Sequence, residues 1–141
     1  MSDSVTQQAQ PNSFGCRYSR PHIPTALVAE DHPDFRDLLS LILERLGYEV
    51  VGAADGEQAL HLALHTQPNL IVTDLSMPQI DALEFLRRLR PTLDDRKPCK
   101  IVMLTAYDPA DYREAAAEAG CDIILSKPLD LERFANIVGA H

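Results

Sequence analysis

The chain has 141 residues, enough for one compact domain and too few for two ordinary ones. Hydrophobic residues at 45% and charged residues at 24% match a folded globular protein and exclude wholesale disorder. Twenty-one acids against 13 bases give a formal charge of −8, which disfavours direct binding to nucleic acid or anionic membrane.

Residues 1–24 are rich in Gln, Ser, Asn and Pro without periodicity, and read as a flexible N-terminal tail preceding a domain over 25–141. Five short apolar runs follow: Ala26–Ala29, Tyr48–Val51, Leu70–Thr73, Lys100–Leu104 and Asp122–Leu125. Most are continuous rather than alternating, as expected of strands covered on both faces. Helical signals separate them. The first helix opens at Pro33 and closes at Gly47, with Phe35, Leu38, Leu39, Ile42 and Leu46 as its apolar stripe. The second starts at the capping sequence Asp55-Gly-Glu-Gln58 and stops before Pro68. The third runs from about Asp81 to Arg90, the fourth follows Asp108-Pro109 and ends near Gly120, and the fifth follows Asp130. Five strand–helix alternations predict a doubly wound α/β sandwich, a parallel sheet with helices on both faces.

No apolar run approaches the ~18 residues of a bilayer span. The N-terminus lacks the basic head and apolar stretch of a secretory signal. Cys16, Cys99 and Cys121 form no CxxC pair; as reduced thiols they suit a cytoplasmic protein, with Cys99 and Cys121 as core filler.

In doubly wound folds the reactive crevice lies beyond the carboxyl ends of the strands. Here those ends are polar: Glu30 and Asp31 after the first run, Asp74 after the third, Thr105 after the fourth and Lys127 after the fifth. Crowded carboxylates demand a counter-ion, and three acids with backbone oxygens suit a hard divalent cation such as Mg²⁺. A lysine and a hydroxyl beside them are superfluous for holding a metal. They make sense if a phosphoryl group arrives, because its oxygens need a cation and a donor. Asp74, at the end of the most apolar strand, is the nucleophile candidate, since aspartate can accept phosphate as an acyl phosphate.

Val28-Ala-Glu-Asp-His-Pro33, Ile71-Val-Thr-Asp-Leu-Ser-Met-Pro78, Met103-Leu-Thr-Ala106 and Ser126-Lys-Pro128, in this order, resemble the receiver domain of two-component response regulators, the CheY-like family. The resemblance covers everything from Thr25 onward. It implies a flavodoxin-like (βα)5 fold with strand order 2-1-3-4-5, and a phosphoacceptor that catalyses only its own phosphorylation and dephosphorylation. Asp74 would take its phosphoryl group from a sensor histidine kinase or a histidine phosphotransfer protein. Asp31 would bind Mg²⁺ directly and Glu30 mainly through water, with Asp74 and the backbone carbonyl of Ser76 completing the ligands. Lys127 would pair with phosphoryl oxygens, Thr105 would swing toward them, and Lys127-Pro128 would be a cis peptide. Signalling is expected through contact with an output protein at the fourth helix, fifth strand and fifth helix, where Ala115–Ala117 would make a smooth surface. A stand-alone regulator is the leading expectation, with homodimerisation left open. A fragment of a longer regulator or hybrid kinase, and a pseudo-receiver that docks without phosphorylation, are the alternatives.

The chain departs from the family pattern at Ile124, where most receivers carry Tyr or Phe, and at Ala82, where glycine is common. Tyr107 is a candidate substitute for the missing aromatic. Leu41 is a candidate contact for a histidine-bearing partner. His32, the pair His61 and His65, and the segment Asp94–Lys97 read as ordinary surface or loop. A haloacid-dehalogenase phosphatase would need an acid where Ser76 stands, and no GxGxxG supports dinucleotide binding.

Overall fold

In the computed structural model, which describes residues 23–94 and 98–139, a five-stranded parallel sheet is sandwiched between helices. The elements are β1 (Thr25–Ala29), α1 (Pro33–Arg45), β2 (Glu49–Ala53), α2 (Gly56–Thr66), β3 (Leu70–Asp74), α3 (Ala82–Leu89), a 3₁₀ turn (Arg90–Thr92), β4 (Lys100–Thr105), α4 (Pro109–Glu118), β5 (Ile123–Ser126) and α5 (Leu131–Val138). The strand order is β2-β1-β3-β4-β5, the expected doubly wound arrangement. The expected tail lies outside the described residues apart from Ile23 and Pro24, and the Pro24 carbonyl already accepts the Glu49 amide at 2.9 Å. Among the described residues no helix is long and apolar enough to cross a membrane.

Strand side chains alternate between two separate cores. Leu27, Ile71, Ile101 and Met103 face α2, α3 and α4, packing with Ala59, Ala63, Phe85 and Leu86. Ala26, Val28, Val72, Val102 and Leu104 face α1 and α5, packing with Leu39, Leu43, Phe134 and Val138. This double burial explains the unbroken apolar runs of β1, β3 and β4. The edge strand β2 is half exposed instead.

Helix starts follow the side-chain caps that their sequences announce. Asp55, Asp81, Asp108 and Asp130 each accept a backbone amide of the following turn, and His32 does so for α1 through its ring. The α1 stripe differs from expectation at two positions. Leu38 is exposed while Leu43 is completely buried, because the buried arc centres on Leu39 and Leu43, and Leu38 lies about 100° around the helix from Leu39. Leu41 is exposed, as its off-stripe position implied. Half-buried Cys99 and Cys121 pack against the core, and Cys16 and Asp95–Lys97 lie outside the described residues.

Close packing ties α2 to the loop that follows β3. A Cβ added at Gly56, the first residue of α2, would run into the Ile80 carbonyl oxygen. Helix propensity favours Gly→Ala by about 1 kcal/mol. Gly56→Ala is nevertheless expected to destabilise the protein, because backbone must move to admit the methyl group. A urea melt showing increased stability would refute this packing.

Candidate functional site

Register places the polar groups as ascending steps at the carboxyl edge of the sheet. Ala29 pairs with Thr73, so Glu30 and Asp74 leave their strands side by side. Asp74 pairs with Leu104, which puts Thr105 one residue further, and Thr105 pairs with Ser126, which puts Lys127 one further again. Backbone bonds continue past the strands: Glu30 N–H to Ala53 O at 2.9 Å, Leu75 N–H to Leu104 O at 2.8 Å and Lys127 N–H to Thr105 O at 2.7 Å. Four of the expected groups thereby emerge on rigid backbone rather than on loop tips.

The Lys127 ammonium lies 3.2 Å from Glu30 Oε1 and 3.3 Å from Asp74 Oδ2. It also sits 4.9 Å from the centre of the Phe35 ring, a cation–π contact from the first turn of α1 that sequence reading missed. Only the α1 periodicity flagged Phe35, and it flagged a core residue. Carboxylate oxygens of Glu30, Asp31 and Asp74 can all lie within 4.8 Å of one another. Three carboxylates against one ammonium leave two negative charges in excess.

Burial makes that excess costly. The Glu30 side chain is 2% exposed and that of Asp74 12%. Desolvation pushes the Glu30 carboxyl above its ordinary 4.5; the His32 amide draws it down, Asp74 pushes it up and Lys127 draws it down again. Desolvation likewise pushes the Asp74 carboxyl above 3.8, opposed by Lys127 and by the Ser76 amide, and reinforced by Asp31. A hard oxygen donor set with uncompensated charge fits a small divalent cation such as Mg²⁺. Glu30, Asp31 and Asp74 are the side chains that could hold it. Ser76 is exposed in the loop after β3, and its backbone amide is close enough to the Asp74 carboxylate to favour the anion.

Thr105 is completely buried, and its hydroxyl oxygen accepts the Tyr107 amide at 2.9 Å. That bond leaves the hydroxyl proton available to another acceptor. Tyr107 is exposed, its ring 5.9 Å from that of Tyr112 on α4. Ile124 is half-buried and lines a groove of about 260 Å³ with Arg113, Ala116 and Arg133. The smooth alanine surface expected on α4 is interrupted, because Ala116 turns into the core and only Ala117 of the three is exposed. Ala82 is also fully buried, its amide bonded to Leu75 O at 3.1 Å, while Gln79 supplies the left-handed residue of that loop with φ 74°.

The Lys127–Pro128 peptide is cis. His32 is consumed as the α1 cap, and the His65 ring bonds the His61 carbonyl at 2.9 Å. Among the described residues, the acids alone form a group of three or more metal-ligating side chains.

A family model described as the response regulator receiver domain matches residues 26–139. The chain is 42% identical over 108 residues to the response regulator MprA of Mycobacterium sp. (strain KMS), covering 77% of this chain and 46% of MprA. It is 39% identical over 112 residues to the sensor protein EvgS of Escherichia coli (strain K12), covering 79% of this chain and 9% of EvgS. The chain thus spans less than half the length of one relative and under a tenth of the other. Among solved structures, chemotaxis protein CheY4 of Vibrio cholerae matches with TM-score 0.74 and 27% identity, covering 83% of this chain and 97% of that one. The REC domain of AraT, a response regulator from Geobacillus stearothermophilus, matches with TM-score 0.72 and 32% identity, covering 84% and 92%.

The raised Asp74 carboxyl has a signed consequence for stability. Below its ordinary 3.8 the acid is protonated in both folded and unfolded chains and costs nothing; the penalty grows as pH rises and is complete above the folded-state value. Asp74→Asn removes that penalty, and Lys127 keeps Glu30 as partner. In EDTA near neutral pH, Asp74→Asn is expected to raise the melting temperature by about 4 °C per ~1 kcal/mol relieved, the gain fading as pH falls toward the ordinary carboxylate range. A lower melting temperature at neutral pH would show that the Lys127–Asp74 ion pair outweighs the repulsion.

Proposed function

The chain belongs to the response regulator receiver domains of two-component signalling, and from that premise we propose that Asp74 accepts a phosphoryl group from a phosphohistidine on a partner protein. The observation that carries this reading is the junction of Glu30, Asp74 and Lys127, one ammonium within 3.3 Å of two buried carboxylates at the end of the sheet. A structural ion pair would be balanced by charge, whereas here three carboxylates gather around one ammonium.

Glu30, Asp31, Asp74 and the Ser76 carbonyl would hold Mg²⁺, which would supply positive charge against the developing negative charge of phosphoryl transfer. A carboxylate oxygen of Asp74 attacks phosphorus in line with the scissile P–N bond. That bond breaks, its electron pair returning to the imidazole nitrogen, and an acyl phosphate remains on Asp74. Asp74 must be ionised to attack, and the Ser76 amide and Lys127 both favour its anionic form. Lys127 needs little displacement to reach phosphoryl oxygens, being already at the Asp74 carboxylate. Thr105 offers its hydroxyl proton to the same oxygens. The added charge, about −1.5 to −2, selects the conformation in which Thr105 and Lys127 both face it.

The exposed Leu38 and Leu41 on α1 are where we place the histidine-bearing partner, and output passes by protein contact. MprA and EvgS are longer than this chain, and the phosphoacceptor chemistry is the same whether output lies in one chain or two.

Incubation with Mg²⁺ and a small phosphodonor such as acetyl phosphate is expected to add one phosphoryl group, seen as an intact-mass shift. Asp74→Asn or EDTA should abolish it. Persistent absence of the adduct in the wild-type protein, with both a small donor and phosphorylated kinases, would favour docking without phosphorylation. Lys127→Ala is expected to retain Mg²⁺ binding while slowing adduct formation by at least about tenfold, from the loss of one preorganised cation. An unchanged rate would remove Lys127 from the mechanism.

A further inference from the structure

The first turn of α1 carries a cation where a helix disfavours one. Arg36 is the fourth residue of α1, at the end where unpaired amides concentrate positive charge. Its side chain is half-buried and reaches back toward the acid site. Arg36 Nη1 donates to the Glu30 carbonyl oxygen at 2.8 Å. The stem lies along β2 at Gly52, where an added Cβ would stand 3.3 Å from Arg36 Cδ and 3.7 Å from Cγ and Nε. Gly52 therefore provides a shelf for the arginine, although its position within a strand gives glycine no propensity advantage.

Besides its pairing with Lys127, Glu30 is bound at three further points. Its amide donates to Ala53 O at 2.9 Å, its carboxylate accepts the His32 amide at 3.0 Å, and its carbonyl accepts from Arg36. The carbonyl belongs to the rigid peptide plane that also contains the Asp31 nitrogen and leads to the Asp31 Cα. Holding it sets the direction from which the exposed Asp31 side chain leaves the backbone. A charged donor on a neutral acceptor makes this bond stronger than an ordinary one.

We propose that Arg36 is a positioning residue for the divalent-cation site: through the Glu30 carbonyl and the Gly52 shelf it fixes the Glu30–Asp31 peptide, and with it the spacing of Glu30, Asp31 and Asp74. The proposal rests on the Mg²⁺-dependent reading of the acid cluster. Metal-ligand spacing set by groups that never touch the ion is a general feature of such sites.

Charge and geometry make opposite predictions, which gives the test its sign. A guanidinium near the acids repels a divalent cation, so as a mere charge its removal should tighten Mg²⁺ binding. As a positioning residue its removal should weaken binding. Mg²⁺ titration by calorimetry on the full chain compares wild type, Arg36→Met, which keeps an unbranched stem without the donor, and Gly52→Ala, which keeps donor and charge but crowds the stem. Arg36→Met is expected to raise the dissociation constant roughly tenfold, and Gly52→Ala to raise it by a smaller factor. Equal or tighter binding by a folded Arg36→Met overturns the proposal. A melting temperature lowered in EDTA with Mg²⁺ affinity unchanged also overturns it, leaving Arg36 a purely structural role. If Arg36→Met does not fold, Gly52→Ala decides, and wild-type affinity there refutes the shelf. Failure of the wild-type protein itself to bind Mg²⁺ would instead overturn the metal reading beneath the proposal.

Discussion

Three clustered carboxylates, two of them in direct contact with a single ammonium, at the carboxyl edge of the sheet are the constraint around which the molecule is arranged. Like charges a few ångströms apart in a partly desolvated pocket repel strongly, and one shared ammonium does not cancel three carboxylates. A fold keeps such a cluster only if the surrounding structure prevents the acids from turning outward. Here the two apolar cores do so for Glu30 and Asp74, gripping β1 and β3 on both faces, while Asp31 lies exposed at the rim. The resting domain thus carries a built-in demand for positive charge, and the proposed chemistry follows from that demand.

Sheet register converts sequence position into site geometry. Glu30, Asp74, Thr105 and Lys127 come from four separate strand ends, up to 97 positions apart in the case of Glu30 and Lys127. Parallel pairing aligns those ends, so spacing between groups is inherited from the sheet instead of from loop conformation. Loops then refine what the strands deliver. The His32 amide and the Arg36 guanidinium bind opposite ends of Glu30. A few short-range bonds suffice because the long-range placement is already done.

This division explains what could be read from residues alone. The strands β1, β3 and β4 were legible as continuous apolar runs because both sheet faces are covered there, and the polar residues at their ends marked the pocket. Aspartate and proline signals gave helix starts to within a residue or so, since a side-chain cap is a local interaction. What stayed hidden depends on rotation and reach. Leu38 and Leu43 exchange roles within a stripe whose hydrophobic residues are consecutive, and periodicity cannot choose between neighbours 100° apart without knowing where the sheet lies. Phe35 beneath Lys127 and Arg36 on the Glu30 carbonyl cross between elements, which no local pattern encodes. Gly52 likewise takes its meaning from the Arg36 stem above it, a contact between elements.

The shared ammonium also bears on why the domain would switch instead of merely storing phosphate. At rest Lys127 divides its charge between Glu30 and Asp74 at nearly equal distances, 3.2 and 3.3 Å. On the proposed reading, phosphorylation converts the Asp74 carboxylate into an acyl phosphate of greater negative charge, and the ammonium would favour the new anion. Glu30 would then lose part of its compensation while remaining buried, leaving the His32 amide as its other observed partner. Thr105 faces the matching choice, since its hydroxyl proton gains a strong acceptor while its oxygen still receives the Tyr107 amide. Ile124, being aliphatic, adds no hydroxyl or ring dipole to this exchange. The free energy separating resting and phosphorylated conformations must therefore come largely from how Lys127 and Thr105 redistribute their bonds, and only contacts that differ between the two states can contribute.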